Sequence, residues 1–327
     1  MIKNRRQFIQ GVSAIGASLA FPALANEVYP NRPIRIISPY QSGGIVDILS
    51  RIVGEKFFQS MGQPVVVEAK PGAGGNIGTS YVARGTRGDP YTLLMAASGP
   101  LAPNVTLYKN LGYDPLKDLM PISLVAATPL VLCVNASSKV KNFSEFATLL
   151  KTQGEKVNYA SVGPGTPQHL GVELMMQQLG VKSMHIPYKG ASLAVTALLA
   201  NEVDYSIDHL VLVLPHIKAG KLRALAVTSP RRAADLPDVP TMQEAGLKDY
   251  EVRGWYGLMA PAGVSDTIVR KLNTETVKAL RHPDVVAKLA GLGSESVAGS
   301  SEEFRTLIAS EITKWRDVIT KRGITIS

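Results

Sequence analysis

The sequence between residues 34 and 53 reads IRIISPYQSGGIVDILSRIV. Its first five residues form the apolar, β-branched run of a buried strand, and its last nine carry apolar residues at the spacing of a helix. The pair Gly43-Gly44 separates the two patterns, as expected of a tight turn. We therefore predict a strand over 34–38 that runs through a glycine-rich turn into a helix over 45–59.

The same alternation of strand and helix recurs along the chain and restarts after a middle segment rich in Pro and Gly. Further strands are predicted at 65–67, 92–96, 157–160, 184–186, 203–207 and 223–227, and further helices at 77–84, 168–179, 191–200 and 212–219. The last third of the chain is mainly helical, over 269–280, 285–289 and 304–318. Strands separated by helices predict parallel sheets covered on both faces, in two α/β units rather than one long sheet.

Two strand-like segments, 121–134 and 251–260, lie between the two units. They indicate that the chain leaves the first domain, builds the second and returns. We predict that domain 1 comprises residues 26–127 plus 255–327, and that domain 2 comprises residues 128–254.

The first 25 residues have the features of a secretory signal peptide. Three basic residues at the start precede a weakly apolar run over 11–21, and the segment ends on Ala23-Leu24-Ala25. The apolar run is shorter than the ~20 residues that span a bilayer. Arg5-Arg6 is typical of a twin-arginine signal, and a general export signal is the alternative. Either signal predicts export and cleavage after Ala25.

The basic excess of the chain does not indicate a nucleic-acid partner. The chain has 35 Lys+Arg and 26 Asp+Glu, a net charge of +9, and removing the three basic residues of the leading segment leaves 32 − 26 = +6. The remaining basic residues are dispersed and only 6% of residues are aromatic, unlike the basic stripes with stacking aromatics that bind nucleic acids. The single cysteine, Cys133, excludes an internal disulfide and is predicted to be a buried thiol in an apolar strand.

Four predicted strand ends run into Gly- or Pro-rich turns that open helices, at 38–47, 70–78, 161–169 and 186–191. Glycines let backbone N–H groups approach a ligand, and a helix N-terminus adds unpaired donors with roughly half a positive charge. Ligands of open α/β sheets bind at the carboxyl ends of the strands, where all four turns are expected. These turns therefore predict a site for a small anion, although glycine turns also occur for steric reasons alone.

Neither a cofactor nor a metal is predicted. Ile77 stands where a dinucleotide fingerprint needs glycine, and Gly78 is followed by Thr79 instead of the lysine of a P-loop. The five histidines, at 169, 185, 209, 216 and 282, lack the close paired spacing of a metal site.

Three titratable residues near the predicted strand ends could contact a ligand, and each also has a structural interpretation or an open role. Asp47 falls in the first turn of a predicted helix, where the dipole alone stabilises a negative charge. Asp208 lies at a strand end, so it could face a cleft or cap a loop, and His169 could face a ligand from the start of its helix. A secreted enzyme that uses these groups as acid or base stays an alternative, which requires two of them within hydrogen-bond reach.

Several motifs resemble those of one family of receptors. They read PYQSGGIVD at 39–47, KPGAGGNIG at 70–78, PYKG at 187–190, GKLRALAVTS at 220–229, LPDVPT at 236–241 and GWYG at 254–257. From about residue 29 to the C-terminus the chain resembles the Bug (TctC-like) family, the extracytoplasmic solute receptors of tripartite tricarboxylate transporters. The resemblance implies a two-domain, type II-like periplasmic-binding-protein clamshell, in which each domain is a mostly parallel sheet flanked by helices and two strands cross between domains.

The resemblance also implies which residues bind the ligand. One side of the cleft would comprise Tyr40, Gln41, Gly43, Gly44, Asp47, Ala97 and Ser98. The other side would comprise Ser161, Gly165, Thr166, His169 and Asp208. Backbone amides and ordered waters would hold the ligand carboxylates, while Asp47 would orient a polar or amino group. Gln41-Ser42 stands where a proline commonly precedes the glycine pair in the family, and this departure adds side-chain donors near the ligand.

We therefore expect a monomeric periplasmic protein that captures a mono- or dicarboxylate, including aromatic and amino acids. It would deliver this solute to the membrane subunits of a tripartite tricarboxylate transporter. A receptor that signals through a sensor kinase is the alternative within the same class, and a secreted α/β enzyme is the alternative from another class.

Overall fold

The computed structural model describes residues 29–326, so the predicted signal peptide at 1–25 lies outside the described residues. Within this range the strands are β1 (Ile34–Ser38), β2 (Val65–Ala69), β3 (Thr92–Ala97), β4 (Leu119–Asn135), β5 (Asn158–Ser161), β6 (Met184–Pro187), β7 (Tyr205–His209), β8 (Leu222–Val227), β9 (Arg253–Pro261) and β10 (Glu295–Ser296). The helices are α1 (Ile45–Met61), α2 (Asn76–Gly85), α3 (Ser98–Leu101), α4 (Asn104–Leu107), α5 (Phe143–Gln153), α6 (Pro167–Leu179), α7 (Ala191–Leu199), α8 (Leu210–Lys218), α9 (Asp266–Leu280), α10 (Pro283–Gly291) and α11 (Ser301–Arg322).

The strand, turn and helix predicted from residues 34–53 are confirmed by β1 and α1. Gly43 has a φ of +86°, a left-handed conformation that favours glycine, and it lets the chain turn directly into the helix. The apolar face of α1 is buried, with Leu49, Val53 and Phe57 fully inaccessible to solvent. The apolar spacing thus fixed both the helix and the face it packs on the sheet.

The sheet has two halves that share one long strand. Residues 119–129 of β4 pair with β9 in the first half, which continues through β3 and β1 to β2. Residues 130–135 of β4 pair with β7 and β8 in the second half, which continues through β5 to β6. The two predicted units are therefore joined into one continuous sheet through β4. We propose the domain division 26–127 plus 255–327 and 128–254 on this change of pairing.

The directions of the strands follow from these crossings. β1 pairs in parallel with β2 and β3, and β5 pairs in parallel with β6 and β7, as the strand-helix alternation predicted. β9 enters the first half from the second and runs antiparallel to both β3 and β4. Each half is consequently a mixed sheet rather than a mostly parallel one, because a strand that crosses between halves reverses the direction of the chain. The α/β class itself is confirmed.

The long helix α11 closes the core against both halves. Phe304 and Trp315 of α11 are almost fully buried and belong to a cluster that includes β4 and β7 residues. The Phe304 ring lies over Gly257 of β9, where a Cβ atom would come within 2.2 Å of the ring. Only glycine permits this approach, and burial of a phenylalanine side chain stabilises the fold by about 1.5–3 kcal/mol.

Two further observations bear on the class of the protein. Across residues 29–326, no helix combines the length and the apolar character needed to cross a bilayer. Cys133 is fully buried within β4, and burial raises the pKa of its thiol. The prediction of a packed strand thiol is confirmed.

Candidate functional site

A cavity of about 400 Å³ opens between the two halves of the sheet. Its wall comprises Tyr40, Gly44, Ile45, Val46, Gly74, Ala97, Ser98, Gly99, Asn104, Leu107, Tyr108, Pro164, Gly165, Thr166, Pro167, His209, Gly254, Tyr256 and Ile326. Both halves contribute, and most contributions come from the carboxyl ends of strands and the turns that follow them. This is where open α/β sheets bind their ligands.

The start of α1 forms one side of the wall. Gly44 is the N-cap residue, and among the described residues no side chain caps this helix. Its first-turn N–H groups are therefore left for a ligand, and Gly44, Ile45 and Val46 all lie on the wall. Tyr40 lies beside them and donates a hydrogen bond from its hydroxyl to the carbonyl of Gly74 at 3.1 Å.

The start of α6 forms the opposite side of the wall. Thr166 is its N-cap: the hydroxyl accepts from the His169 N–H at 3.4 Å and donates to the Gly163 carbonyl at 2.7 Å. Pro167 follows at the first helical position, as the sequence predicted. Gly165 has a φ of +79°, and a Cβ there would come within 2.5 Å of Leu107 of α4. Glycine is required at this point because the two halves of the molecule approach each other across it.

The Asp47 carboxylate lies behind the glycine turn and not on the cavity wall. It accepts from the Gly43 N–H at 3.2 Å and from Arg51 at 3.0 and 3.1 Å. The hydrogen bonds from Arg51, together with that from Gly43, hold the pKa of Asp47 below its ordinary value. Its side chain therefore stabilises the turn that presents Gly44.

His169 has the same supporting role behind α6. Its Nδ1 accepts from the Gly165 N–H at 3.3 Å, so the ring proton is assigned to Nε2, which lies 3.7 Å from a Glu173 carboxylate oxygen. Burial, followed by the charges of His185 and Arg322, lowers the pKa of His169 to about 3. The neutral ring thus holds the Gly165 turn in place at physiological pH.

Ser161 and Asp208 also lie off the wall. The Ser161 hydroxyl is 2.6 Å from Nε2 of His185 and accepts from the Gly163 N–H at 3.1 Å. Asp208 is almost fully buried and accepts from the His209 N–H at 2.8 Å and from Gln168 at 3.4 Å. Burial raises the pKa of its carboxyl to about 6.

The candidate ligand residues therefore separate into two groups. Six of them line the cavity: Tyr40, Gly44, Ala97, Ser98, Gly165 and Thr166. The other six are behind or beside it: Gln41, Gly43, Asp47, Ser161, His169 and Asp208. The three groups considered as acid or base in an enzyme all belong to the second set.

Thirteen wall residues are not among the candidates. Five of them adjoin candidates along the chain, namely Ile45, Val46, Gly99, Pro164 and Pro167, and the other eight are Gly74, Asn104, Leu107, Tyr108, His209, Gly254, Tyr256 and Ile326. Gly254 and Tyr256 belong to the GWYG motif, and His209 directly follows Asp208, so these three carried a signal. Leu107, Tyr108 and Ile326 reach the cavity through tertiary packing, which no local pattern announces.

The electrostatics of the wall come from backbone and neutral side chains. Within residues 29–326, no lysine or arginine lines the cavity. The uncapped start of α1 and the turn before α6 supply N–H groups and the positive ends of two helix dipoles. The rest of the cavity wall consists largely of apolar side chains and tyrosine rings. Such a site can hold an anionic group together with an apolar body.

Comparisons with known proteins agree with this geometry. Residues 49–324 match the model of the tripartite tricarboxylate transporter family receptors, TctC. The protein BugT of Bordetella pertussis is 37% identical over 324 residues, which cover 99% of each chain. Among solved structures, the periplasmic binding protein BugD is 34% identical with a TM-score of 0.74, over 91% of this chain and 99% of that one. Rpa4515 of R. palustris with adipate is 32% identical with a TM-score of 0.77, over the same shares of 91% and 99%. These similarities confirm the predicted fold class.

Proposed function

The chain belongs to the TctC family of tripartite tricarboxylate transporter receptors, and we propose that it captures a small carboxylate in the cavity between its two halves for delivery to the membrane subunits of a transporter. As a member of this family it is a periplasmic solute-binding protein. The proposed export signal at 1–25, cut after Ala25, would bring it to that compartment.

One observation carries the proposal: the starts of two helices line a single cavity from opposite halves of the molecule. Gly44 to Val46 open α1 in the first half, and Gly165 to Pro167 open α6 in the second. A carboxylate between them would accept hydrogen bonds from both and join the halves. Approach of the halves would exclude water, which strengthens each of these hydrogen bonds.

The proposed capture involves neither proton transfer nor covalent chemistry. Carboxylates occupy such sites because unpaired N–H groups and helix dipoles favour a negative charge. The adipate in the structure of Rpa4515 is the ligand of that related protein. For this chain we propose a carboxylate without fixing its body, and uptake rather than signalling, since the family description names transporter receptors.

The first prediction concerns Thr166. We expect Thr166→Ala to weaken carboxylate binding, because the hydroxyl fixes the Gly163 turn and the start of α6 at the cavity. Loss of the cap should also lower the free energy of unfolding by ~1 kcal/mol. Ser265→Ala is the matched control, since Ser265 caps α9 in the same way but lies off the cavity. A thermal-shift screen of carboxylates identifies the ligand for calorimetry. A carboxylate present at a hundred times its own dissociation constant should stabilise the folded protein by ~2.7 kcal/mol.

Asp47→Ala tests the other half of the cavity with the same ligand. We expect weaker binding without unfolding, because the Gly43 N–H and Arg51 lose their common acceptor and the turn before α1 loosens. Asp266→Ala is the control, since Asp266 is also an acidic residue in a first helical turn. Unchanged affinity in both Thr166→Ala and Asp47→Ala would refute the site, and a panel without any binding carboxylate would refute the function.

A further inference from the structure

The side chain of Asn104 lies on the cavity wall with one end of its amide bonded and the other end free. The residue is 6% exposed, and its Nδ2 donates to Oδ1 of Asn76 at 2.7 Å. Within residues 29–326 no group donates to its Oδ1, yet this oxygen is not one of the partnerless side-chain atoms that are closed to solvent. The free end is therefore open to the cavity, and a partner from outside the chain is expected for it.

A buried network holds this amide in place. Asn76 lies in the turn at 70–78, and its Oδ1 is also 3.1 Å from the hydroxyl of Tyr113. That hydroxyl lies 2.8 Å from the carbonyl of Pro100, and burial raises the pKa of Tyr113. The Asn104 amide thus has a fixed orientation, and the glycine-rich motif at 70–78 supplies the residue that positions it.

The hydroxyl of Tyr108 meets the Asn104 amide at Gly74. A Cβ atom at Gly74 would come within 3.2 Å of this hydroxyl and 3.6 Å of Nδ2 of Asn104. In the described part of the chain the Tyr108 hydroxyl makes no hydrogen bond and is not closed to solvent, whereas the Tyr40 hydroxyl is already bonded to the Gly74 carbonyl. Asn104 and Tyr108 therefore offer two free polar groups at one part of the wall.

These two groups are neutral and complementary. Among the described residues, the wall has no acidic or basic side chain except His209, whose pKa is lowered by burial to about 4. The free oxygen of Asn104 accepts and the hydroxyl of Tyr108 donates, so a hydroxyl group, which both donates and accepts, satisfies the two together. A carbonyl or carboxylate oxygen only accepts and would leave Asn104 without a partner, and a methylene would leave both without one.

We propose that Asn104 and Tyr108 determine specificity by binding a hydroxyl group on the body of the solute, so that the solute is a hydroxy acid. The inference rests on the proposed function, because the helix starts hold the carboxylate and thereby place the body of the solute along the wall. The start of α8, where His209 is an N-cap residue without a side-chain cap, leaves a place for a second carboxylate. The inference concerns the body of the solute and applies to mono- and dicarboxylates alike.

Three pairs of acids that differ only in a hydroxyl group test the inference. They are succinate and malate, butyrate and 3-hydroxybutyrate, and benzoate and 3-hydroxybenzoate, with both enantiomers of the chiral acids. Calorimetry at neutral pH compares the wild type with Asn104→Leu, which removes the amide, and with Tyr108→Phe, which removes only the hydroxyl. Tyr81→Phe is the control, because Tyr81 packs against the same core cluster as Tyr108 but lies off the cavity.

We expect the hydroxy acid of at least one pair to bind the wild type about tenfold more tightly than its partner, because its hydroxyl makes two hydrogen bonds. This preference should fall to about twofold or less in Asn104→Leu and to about threefold in Tyr108→Phe, and Tyr81→Phe should retain it. The partner acid without the hydroxyl should bind Tyr108→Phe within about threefold of the wild type, which a general disturbance of the cavity would not allow. If Asn104→Leu does not fold, Tyr108→Phe decides alone, because it keeps the ring and its packing.

Two results would overturn the proposal. The first is the absence of a hydroxyl preference in all three pairs with the wild type, and the second is a preference that stays about tenfold in Tyr108→Phe or in Asn104→Leu. Both leave the proposed function intact, because carboxylates bind. Failure of all these acids to bind would instead overturn the proposed function and this inference together.

Discussion

At the scale of single residues, three titratable side chains hold the backbone segments behind the cavity in place, whereas backbone groups and uncharged side chains form its wall. The carboxylate of Asp47 and the ring of His169 each accept a hydrogen bond from the backbone N–H of a glycine in the adjoining turn. The Asp208 carboxylate likewise accepts from the N–H of His209. Each of the three fixes a backbone segment that reaches the wall, so their effect on a ligand is exerted through the position of Gly44, Gly165 and His209.

Asp208 should make the stability of the protein depend on pH. Burial raises the pKa of its carboxyl from 3.8 to about 6. The folded state therefore holds the proton more tightly, and this stabilisation is complete below pH 3.8 and lost as the pH rises through 6. At ~1.4 kcal/mol per pKa unit, the loss approaches about 3 kcal/mol.

Asp208→Asn removes this dependence. We expect the free energy of unfolding of the variant, relative to wild type, to rise by up to about 3 kcal/mol between acidic and neutral pH. Urea denaturation at several pH values measures it, and the difference between the two proteins cancels the contributions of the buried histidines. Asp238→Asn, at an exposed position, is the control. A difference that does not change with pH would contradict the assigned burial of the Asp208 charge.

The sequence predicted which backbone positions lie at the cavity better than it predicted whether a side chain there points towards the ligand. Gly44, Gly165 and Thr166 were predictable, because each lies at a junction of strand and helix whose place in the fold follows from the strand order. Asp47 is in the correct turn, but whether its carboxylate faces the ligand or Gly43 depends on the conformation of that turn. Ile326 could not be predicted, because it comes to the wall only through the packing of the chain after α11.

At the scale of elements, most of the longer helices and strands were predictable, although α3, α4, α5 and β10 were not predicted, and the pairing of the strands was not predictable. Apolar spacing placed α1 and α6 within two residues of their observed limits. Apolar character likewise predicted the segment at 121–134, observed as β4. No pattern within β4, however, announces that its pairing changes between Pro129 and Leu130. That change depends on β7, β8 and β9, which arrive from distant parts of the sequence.

The two helices α6 and α11 are joined by a largely buried ion pair that supports the turn at Gly165. Arg322 donates to Glu173 at 2.6 Å, and their side chains are 18% and 11% exposed. The other carboxylate oxygen of Glu173 accepts from the Tyr159 hydroxyl at 2.9 Å and lies near His169. The C-terminal helix thus contributes to the order of the cavity from a distance.

Removal of this arginine should destabilise the protein much more than removal of its neighbour. We expect Arg322→Met to lower the free energy of unfolding by about 3 kcal/mol, because it leaves the Glu173 charge buried without its partner. Lys321→Met is the matched control: its pair with Asp317 has side chains 61% and 47% exposed, which makes it worth less than about 1 kcal/mol. Urea denaturation measures both variants, and equal losses would show that the Arg322 pair is no stronger than a surface pair.

At the scale of the whole molecule, both crossings between the halves meet at Thr228. Its buried hydroxyl accepts from the Leu130 N–H at 3.0 Å and lies 3.0 Å from the Leu130 carbonyl and 2.6 Å from the Val252 carbonyl. Leu130 is where β4 changes partners, and Val252 directly precedes β9. The halves therefore connect at Thr228 and through α11, whose Arg322 pairs with Glu173 of α6, while the cavity lies between residues that belong to separate halves.

This arrangement predicts that a bound carboxylate brings the halves together. The halves are joined at Thr228 and through α11, whereas across the cavity they meet through contacts such as Leu107 with Gly165, so we expect the ligand to move the halves about these connections. We expect the radius of gyration from X-ray scattering to decrease when the tightest-binding acid of the calorimetric panel saturates the protein. Thr166→Ala at the same ligand concentration should show a smaller decrease, in proportion to its lower occupancy. A radius of gyration that stays constant while calorimetry reports saturation would contradict closure, and would mean that the cavity accepts its solute without relative motion of the halves.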